Sequence, residues 1–306
     1  MRGRSRIFAA GGGARPSFQL GPAPAARRAA GAAAGQGPAA RAAPPPQKSG
    51  SRISKPRRIK HISMRIKLII SYDGSRYGGW QLQKNATSIQ GELENVLKTI
   101  TGRRIVIQSA GRTDAGVHAL GQCAHFDYEG SIPPEKLPFV FNSMLPRDIR
   151  VTKAEQAPES FHARYSAKGK RYIYTIYNSP HASALLYNRT MHVPQTLDIE
   201  KMRAAAQHIK GTHDFKAFCA AGSYVKSTVR TVTRLDIICQ EPLIRIIVEG
   251  DGFLYNMVRI IAGTLIRVGL NKLSPQSTPA IIEGKSRAAA GFTAQPQGLM
   301  LDEVFY

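Results

Sequence analysis

SAGRTDAGVHALGQ, Ser109–Gln122, carries three glycines, an arginine, an aspartate and a histidine between two apolar runs. Upstream, RRIVIQS has the branched, alternating character of a strand, and downstream LGQCAHFDYE reads as another. The polar stretch between them is therefore a turn joining two strands. If Arg112, Thr113 and Asp114 run extended, Arg112 and Asp114 project to one face and Thr113 to the other. Gly111 and Gly116 let the backbone turn sharply and admit a bulky neighbour. A carboxylate held beside a guanidinium stays ionised, which suits a nucleophile or a general base and is poor for an acid. As a mere surface ion pair the same two residues would contribute only ~0–1 kcal/mol.

Reading outward, MRIKLIISY alternates Ile66, Leu68 and Ile70 against Arg65, Lys67 and Ser71, the period of a half-buried strand. A YDGS turn follows. Thr87 and Gln90 form a capping box for a helix whose apolar face is Ile89, Leu93, Val96, Leu97 and Ile100. After the GRTDAG turn, PPEKLPFVFNSML predicts a helix and DIRVTKAEQ a strand. The order is strand, helix, strand, strand, helix, strand. The second half repeats it. KRYIYTIY is a strand, LDIEKMRAAAQHIKG a helix stopped by Gly211, and VKSTVRTVTRLDIICQ with PLIRIIVEG a hairpin around Glu241-Pro242. FLYNMVRIIAGTLIRVG is a largely buried helix, and after a short helix GLMLDEVFY closes as a strand. The fold class expected is α+β, with two ferredoxin-like split βαβ lobes of antiparallel sheet, residues 64–167 and 168–306, whose sheets stay separate or join.

Charge is unevenly spread. The 306 residues hold 43 Lys and Arg against 20 Asp and Glu, and 13 of the cations but none of the acids fall in residues 1–63. Residues 64–306 keep 30 cations against 20 acids, which suits a polyanionic partner. Residues 1–63 are dominated by Ala, Gly, Pro and Arg and are expected to be disordered. A transit peptide, a basic RNA-binding tail, an upstream translation start and an added segment all fit them. The start reading is slightly favoured, because Met64 opens the first periodic segment. Cys123, Cys219 and Cys239 lie far apart without metal-ligand spacing, so a zinc site is not expected and a reducing compartment is. No apolar run approaches the ~20 residues of a membrane-spanning helix.

GRTDAGVHA closely resembles the signature of the tRNA pseudouridine synthase A (TruA) family. The similarity runs from Met64 to Tyr306 through YDGSRYGGWQLQ (72–83), TSIQGELENVL (87–97) and SAGRTDAGVHALGQ (109–122). It continues through FHARYSAKGKRYIYTIYN (161–178), GTHDFKAF (211–218), GFLYNMVRIIAGTLIRVG (252–269) and the closing GLMLDEVFY. The resemblance implies the pseudouridine synthase fold, with an active-site cleft between the lobes. It implies an isomerase that turns uridine into pseudouridine in the anticodon arm of tRNA, about positions 38–40, with neither cofactor nor metal. Asp114 matches the family's catalytic aspartate. It could act by attack on the base, by attack on the sugar, or by taking a proton from the sugar. Arg112 matches the arginine that pairs with this aspartate and fills the space left by the flipped base. Tyr172 matches the tyrosine that stacks on that base, Leu299 the apolar residue closing its other side, and Arg259 an arginine near the carboxylate. A homodimer binding tRNA across a basic cleft, in the cytoplasm (or an organelle, if residues 1–63 are a transit peptide), is implied as well.

Bland readings accompany these. Tyr172 is also one more strand tyrosine. His118 and His125 read as satisfied polar groups or RNA contacts, and Trp80 as packing near the lobe junction. Arg103, Arg104, Lys168, Lys170 and Arg171 read equally as solvated charge or phosphate contacts. Gln295 stands where the family often has proline, so the loop before Leu299 is expected to be set differently. Two readings of other kinds compete. A non-catalytic RNA-binding protein of this fold would lack Asp114 or Tyr172. A glycoside-cleaving enzyme would need a second carboxylate, and the matched motifs offer none.

Overall fold

The computed structural model describes residues 63–222 and 225–306, so the expectation of disorder for residues 1–63 falls, but for Ser63, outside the described residues. The first strand, β1 (Met64–Tyr72), buries Ile66, Leu68, Ile70 and Tyr72 on one face, as its alternation requires. Helix α1 (Ile89–Thr101) follows. Its cap is Ser88, one residue beyond the expected Thr87: the Ser88 hydroxyl accepts the Gly91 N–H at 3.1 Å. Thr87 is held in the preceding loop by its carbonyl, which accepts the Gly78 N–H at 2.9 Å. Gly102, at φ 72°, ends the helix in the left-handed region.

The expected strand RRIVIQS shrinks to β2 (Gln108–Ser109). Helix α1 takes the place of a strand partner, because Glu94 accepts the Ile107 N–H at 3.2 Å and Gln90 Nε2 donates to the Ile107 carbonyl at 3.3 Å. Strand β3 (His118–Tyr128) is the long central strand of this half. Helix α2 (Leu137–Met144) and strand β4 (Ile149–Ala157) complete it.

Strand β5 (Gly169–Asn178) opens the second half, and the short β6 (Met191–Val193) pairs beside it in parallel. Helix α3 (Ile199–Ile209) is capped by Asp198, and β7 (Gly211–Asp214) follows it at the sheet edge. The hairpin expected around Glu241-Pro242 is β8 (Val229–Gln240) with β9 (Leu243–Gly250). Helix α4 (Met257–Gly269) is buried along most of its length and packs on α3. Helix α5 (Thr278–Gly284) and strand β10 (Leu299–Phe305) end the chain. Neither β6 nor β7 was expected, since three or four residues show no usable period.

The two strand sets join into one sheet in the order β4-β1-β3-β10-β5-β9-β8-β7, with β2 on β3 and β6 on β5. Most pairings are antiparallel. The join is not: β10 lies parallel to β3 over Met300–His118 and Leu301–Ala119, and antiparallel to β5 on its other side. The last strand of the chain thus bridges the halves. Arg171 fastens this region, ion-paired to Asp302 and also to Glu303 (2.6 Å) and Glu249 (3.3 Å). It is a cross-strand fastener and not a free phosphate contact.

Candidate active site

The turn Gly111–Gly116 sits between β2 and β3, and most of its fixed points are polar. Thr113 faces the core, where its hydroxyl lies 2.7 Å from the Tyr72 hydroxyl. Burial pushes the Tyr72 phenol up to about 12, so it stays neutral. The Thr113 carbonyl accepts the Trp80 N–H at 3.0 Å, and Gln122 Nε2 donates to the Gly111 carbonyl at 2.8 Å. Lys170 Nζ donates to the Ala110 carbonyl at 2.9 Å, and burial lowers its pKa to about 8. Gly79 explains the glycines of YDGSRYGGW: at φ 99°, it would place a Cβ 2.5 Å from the Thr113 carbonyl oxygen. Only a glycine lets that loop lie on this turn.

Thr113 turned inward leaves Arg112 and Asp114 on the open side, as the alternation predicts. Both line a cleft of about 810 Å³ whose walls also include Trp80, Lys170, Tyr172 and Leu299. Tyr172 comes from β5, edge-on to Phe253 with centroids 5.2 Å apart, and Leu299 opens β10. Tyr172 is 9% exposed, and burial raises its phenol far above the ordinary tyrosine value. Asp114, Tyr172 and Leu299 meet because β10 runs between β3 and β5.

Of the two arginines expected near Asp114, the one that pairs with it is not Arg112. The cation at its carboxylate is Arg259, from α4, with N–O at 3.6 Å. Arg112 is exposed and, among the described residues, makes no ion pair. The reason lies in α4: Arg259 is aimed by two groups besides the carboxylate. Its Nε donates to the Ala294 carbonyl and its Nη1 to Asn256 Oδ1, both at 2.7 Å, and Asn256 itself sits at φ 59°. Nor is Asp114 simply held ionised. Burial raises its pKa above the ordinary carboxylate value, and Arg259 opposes that rise only in part.

The histidines are structural. His118 accepts the Gly74 N–H on Nδ1 at 3.1 Å and donates from Nε2 to the Gln297 carbonyl at 3.2 Å, tying the first loop to the one before Leu299. His125 accepts the Ala163 N–H, and burial lowers its pKa to about 4. Trp80 is 2% exposed against Tyr72. Arg103 and Arg104 pair with Glu129 and Glu94. Gln295 holds φ −59° and ψ 143°, with φ in the range that proline fixes. Among the described residues, no three His, Cys, Asp or Glu side chains converge as a metal site, and no helix is long and apolar enough to cross a membrane.

A family model described as tRNA pseudouridine synthase matches residues 68–166 and 205–306, the segments that carry Arg112, Asp114, Arg259 and Leu299. The chain belongs to the tRNA pseudouridine synthase family. Among the relatives of this synthase is the tRNA pseudouridine synthase A of Ruminiclostridium cellulolyticum, 50% identical over 243 residues, which are 79% of this chain and 99% of that one. The enzyme of the same name from Acetivibrio thermocellus is 49% identical over 241 residues, again 79% and 99%. That of Bacillus subtilis is 45% identical over 245 residues with the same shares. Two parts of this synthase's site were not expected from its sequence, Asn256 and the Thr113–Tyr72 contact; both act through tertiary neighbours, and only the inward face of Thr113 left a trace in the pattern. Lys170, expected as solvated charge or a phosphate contact, instead holds the turn through the Ala110 carbonyl.

Proposed function

We propose that this isomerase converts uridine to pseudouridine in the anticodon arm of tRNA, about positions 38–40, with Asp114 as its one catalytic carboxylate. The observation that carries the reading is Asp114 itself: a half-buried carboxylate beside a fixed guanidinium, in a cleft that also holds a tyrosine and a leucine. The reaction breaks the bond from ribose C1′ to uracil N1 and forms one from C1′ to C5 of the same base, while C5 loses its proton and N1 gains one, so the base must be out of its stack. Extrusion costs a few kcal/mol. Tyr172 and Leu299 give the extruded ring two apolar faces, and Arg112, exposed and without a partner among the described residues, is free to occupy the gap left behind. Arg259 biases Asp114 toward the charged form, against burial. An ionised carboxylate here serves as a nucleophile or a base, and as a nucleophile it splits one hard step into two.

Cytoplasmic location, a homodimer with tRNA across a basic cleft, and lobes divided at 167/168 belong to the same proposal. They are supported by the family and by the residual basic charge of residues 64–306. The test is Asp114→Asn, which keeps size and removes charge. It is expected to fold and to bind tRNA, while pseudouridine formation falls by ~10⁴-fold or more, as for loss of a nucleophile. Turnover within tenfold of the unaltered enzyme would remove Asp114 from the mechanism.

A further inference from the structure

One aromatic in the cleft has no part in the chemistry at Asp114. Tyr165 lines the same cleft as Asp114 and Tyr172, yet it is 78% exposed. So little of it is buried that its ring adds little to the core. Its seat, by contrast, is firmly built. The ring lies over His162 with centroids 4.3 Å apart and planes 34° apart, and His162 meets the buried His125 edge-on at 4.6 Å.

The backbone beneath is pinned from several directions. His162 Nδ1 accepts the N–H groups of Arg164 at 3.1 Å and Tyr165 at 3.3 Å, while its Nε2 donates to Gln108 Oε1 at 2.8 Å. Ser166 Oγ accepts the His162 N–H at 3.0 Å, and His125 Nδ1 accepts the Ala163 N–H at 3.1 Å. Surface turns usually move; this one is bolted to the core through two imidazoles. The Arg164 guanidinium stands 5.8 Å from the Tyr165 ring centre and, among the described residues, makes no ion pair.

A rigid aromatic with an open face beside an unpaired cation is what a single-stranded nucleic acid uses: the ring takes a base, the cation a phosphate. A protein partner would favour a wider apolar surround, whereas here the neighbouring cleft residues include Arg112, Arg164 and Lys170. The cleft, at about 810 Å³, lies toward the upper end of the ~300–1,000 Å³ typical of ligand pockets, which leaves room beyond one extruded base. We propose that Tyr165, seated on His162 and flanked by Arg164, is a stacking platform for an unpaired RNA base next to the target uridine. It is separate from the contact of Tyr172 with the target itself. The proposal rests on the RNA-modifying reading given above.

The experiment uses tRNA transcripts with 2-aminopurine placed on either side of the anticodon-arm uridines, and the full chain as wild type, Tyr165→Phe and Tyr165→Leu. Stacking quenches 2-aminopurine. Wild type and Tyr165→Phe are expected to quench at one of the flanking positions. Tyr165→Leu is expected to lose that quench and to raise KM for tRNA by about 5- to 100-fold, with kcat at saturating tRNA kept. A Leu variant that matches the Phe variant in both quench and KM overturns the platform. Pseudouridine formation by the wild type, measured alongside, reports on the reading beneath. If it occurs while Tyr165→Leu is unaffected, the platform alone fails. If quenching depends on Tyr165 but no pseudouridine forms, the reading fails and the platform stands. If neither is seen, both fail.

Discussion

At the residue scale, the decisive contest is over the charge on Asp114. Burial favours its protonated form and Arg259 its ionised form, with burial the larger of the two. Removing the cation leaves burial unopposed. Arg259→Gln is therefore expected to raise the pKa of Asp114 further, so that protonation persists to higher pH. If the reaction needs the ionised carboxylate, the acid limb of kcat/KM moves to higher pH in this variant and returns toward its original position in Arg259→Lys. A pH–rate profile unchanged by Arg259→Gln would mean that the pair is not coupled in the working enzyme. Tyr172 poses a different question, since a buried neutral phenol offers both a stacking face and a hydroxyl. Tyr172→Phe keeps the face and Tyr172→Leu removes it. If stacking dominates, Leu is expected to fall at least tenfold below Phe in kcat/KM. Equal losses would assign the work to the hydroxyl. The sequence made Asp114, Tyr172 and Leu299 visible through their motifs, and the structure brings all three into one cleft. It could not show that Arg259 and not Arg112 meets the carboxylate. That choice depends on where α4 lies against the turn, more than a hundred residues away in the chain.

At the scale of elements, long periodic segments formed as their patterns require, and short ones did not. Strands β1, β3, β5, β8 and β9 carry enough alternation to be read directly. The RRIVIQS strand failed because Glu94 and Gln90 of α1 supply the polar partners its backbone needed at Ile107. A pattern of side chains does not record which neighbour satisfies a main chain. In the loop from Gln295 to Gly298, Gln295 stands where the family often has proline, and its φ of −59° is one that proline also adopts. Gln295→Pro is therefore expected to be tolerated and to stabilise the protein by about 0.4–1 kcal/mol, by restricting the unfolded chain. Urea midpoints of the two proteins check this. A lower midpoint for the proline variant would show that the Gln295 N–H or the residue before it is engaged in a way that proline forbids.

At the scale of the whole molecule, the site exists because β10 lies between β3 and β5. Leu301 is 1% exposed on that strand, opposite Ala119 on one side and Tyr172 on the other. Leu301→Ala is expected to cost about 2–5 kcal/mol. Because the strand is shared, both halves should lose their structure together. Trp80, the chain's single tryptophan, reports on the first half by fluorescence, and far-UV circular dichroism reports on the whole. Coincident midpoints are expected in the variant, and separated midpoints would show that the halves fold as independent units. The sequence by itself determined the helical and strand character of the long segments, the repeated order of the two halves, the family and most of the residues at its cleft. All of these are carried by residue type and spacing along the chain. Only the tertiary structure decided that the two strand sets form one sheet, that its last strand bridges them in parallel with β3, and that of the two arginines it is Arg259 that pairs with Asp114. Each of those depends on a pairing between segments far apart in sequence. There the energy comes from burial and hydrogen bonds in three dimensions, and local pattern leaves no mark of it.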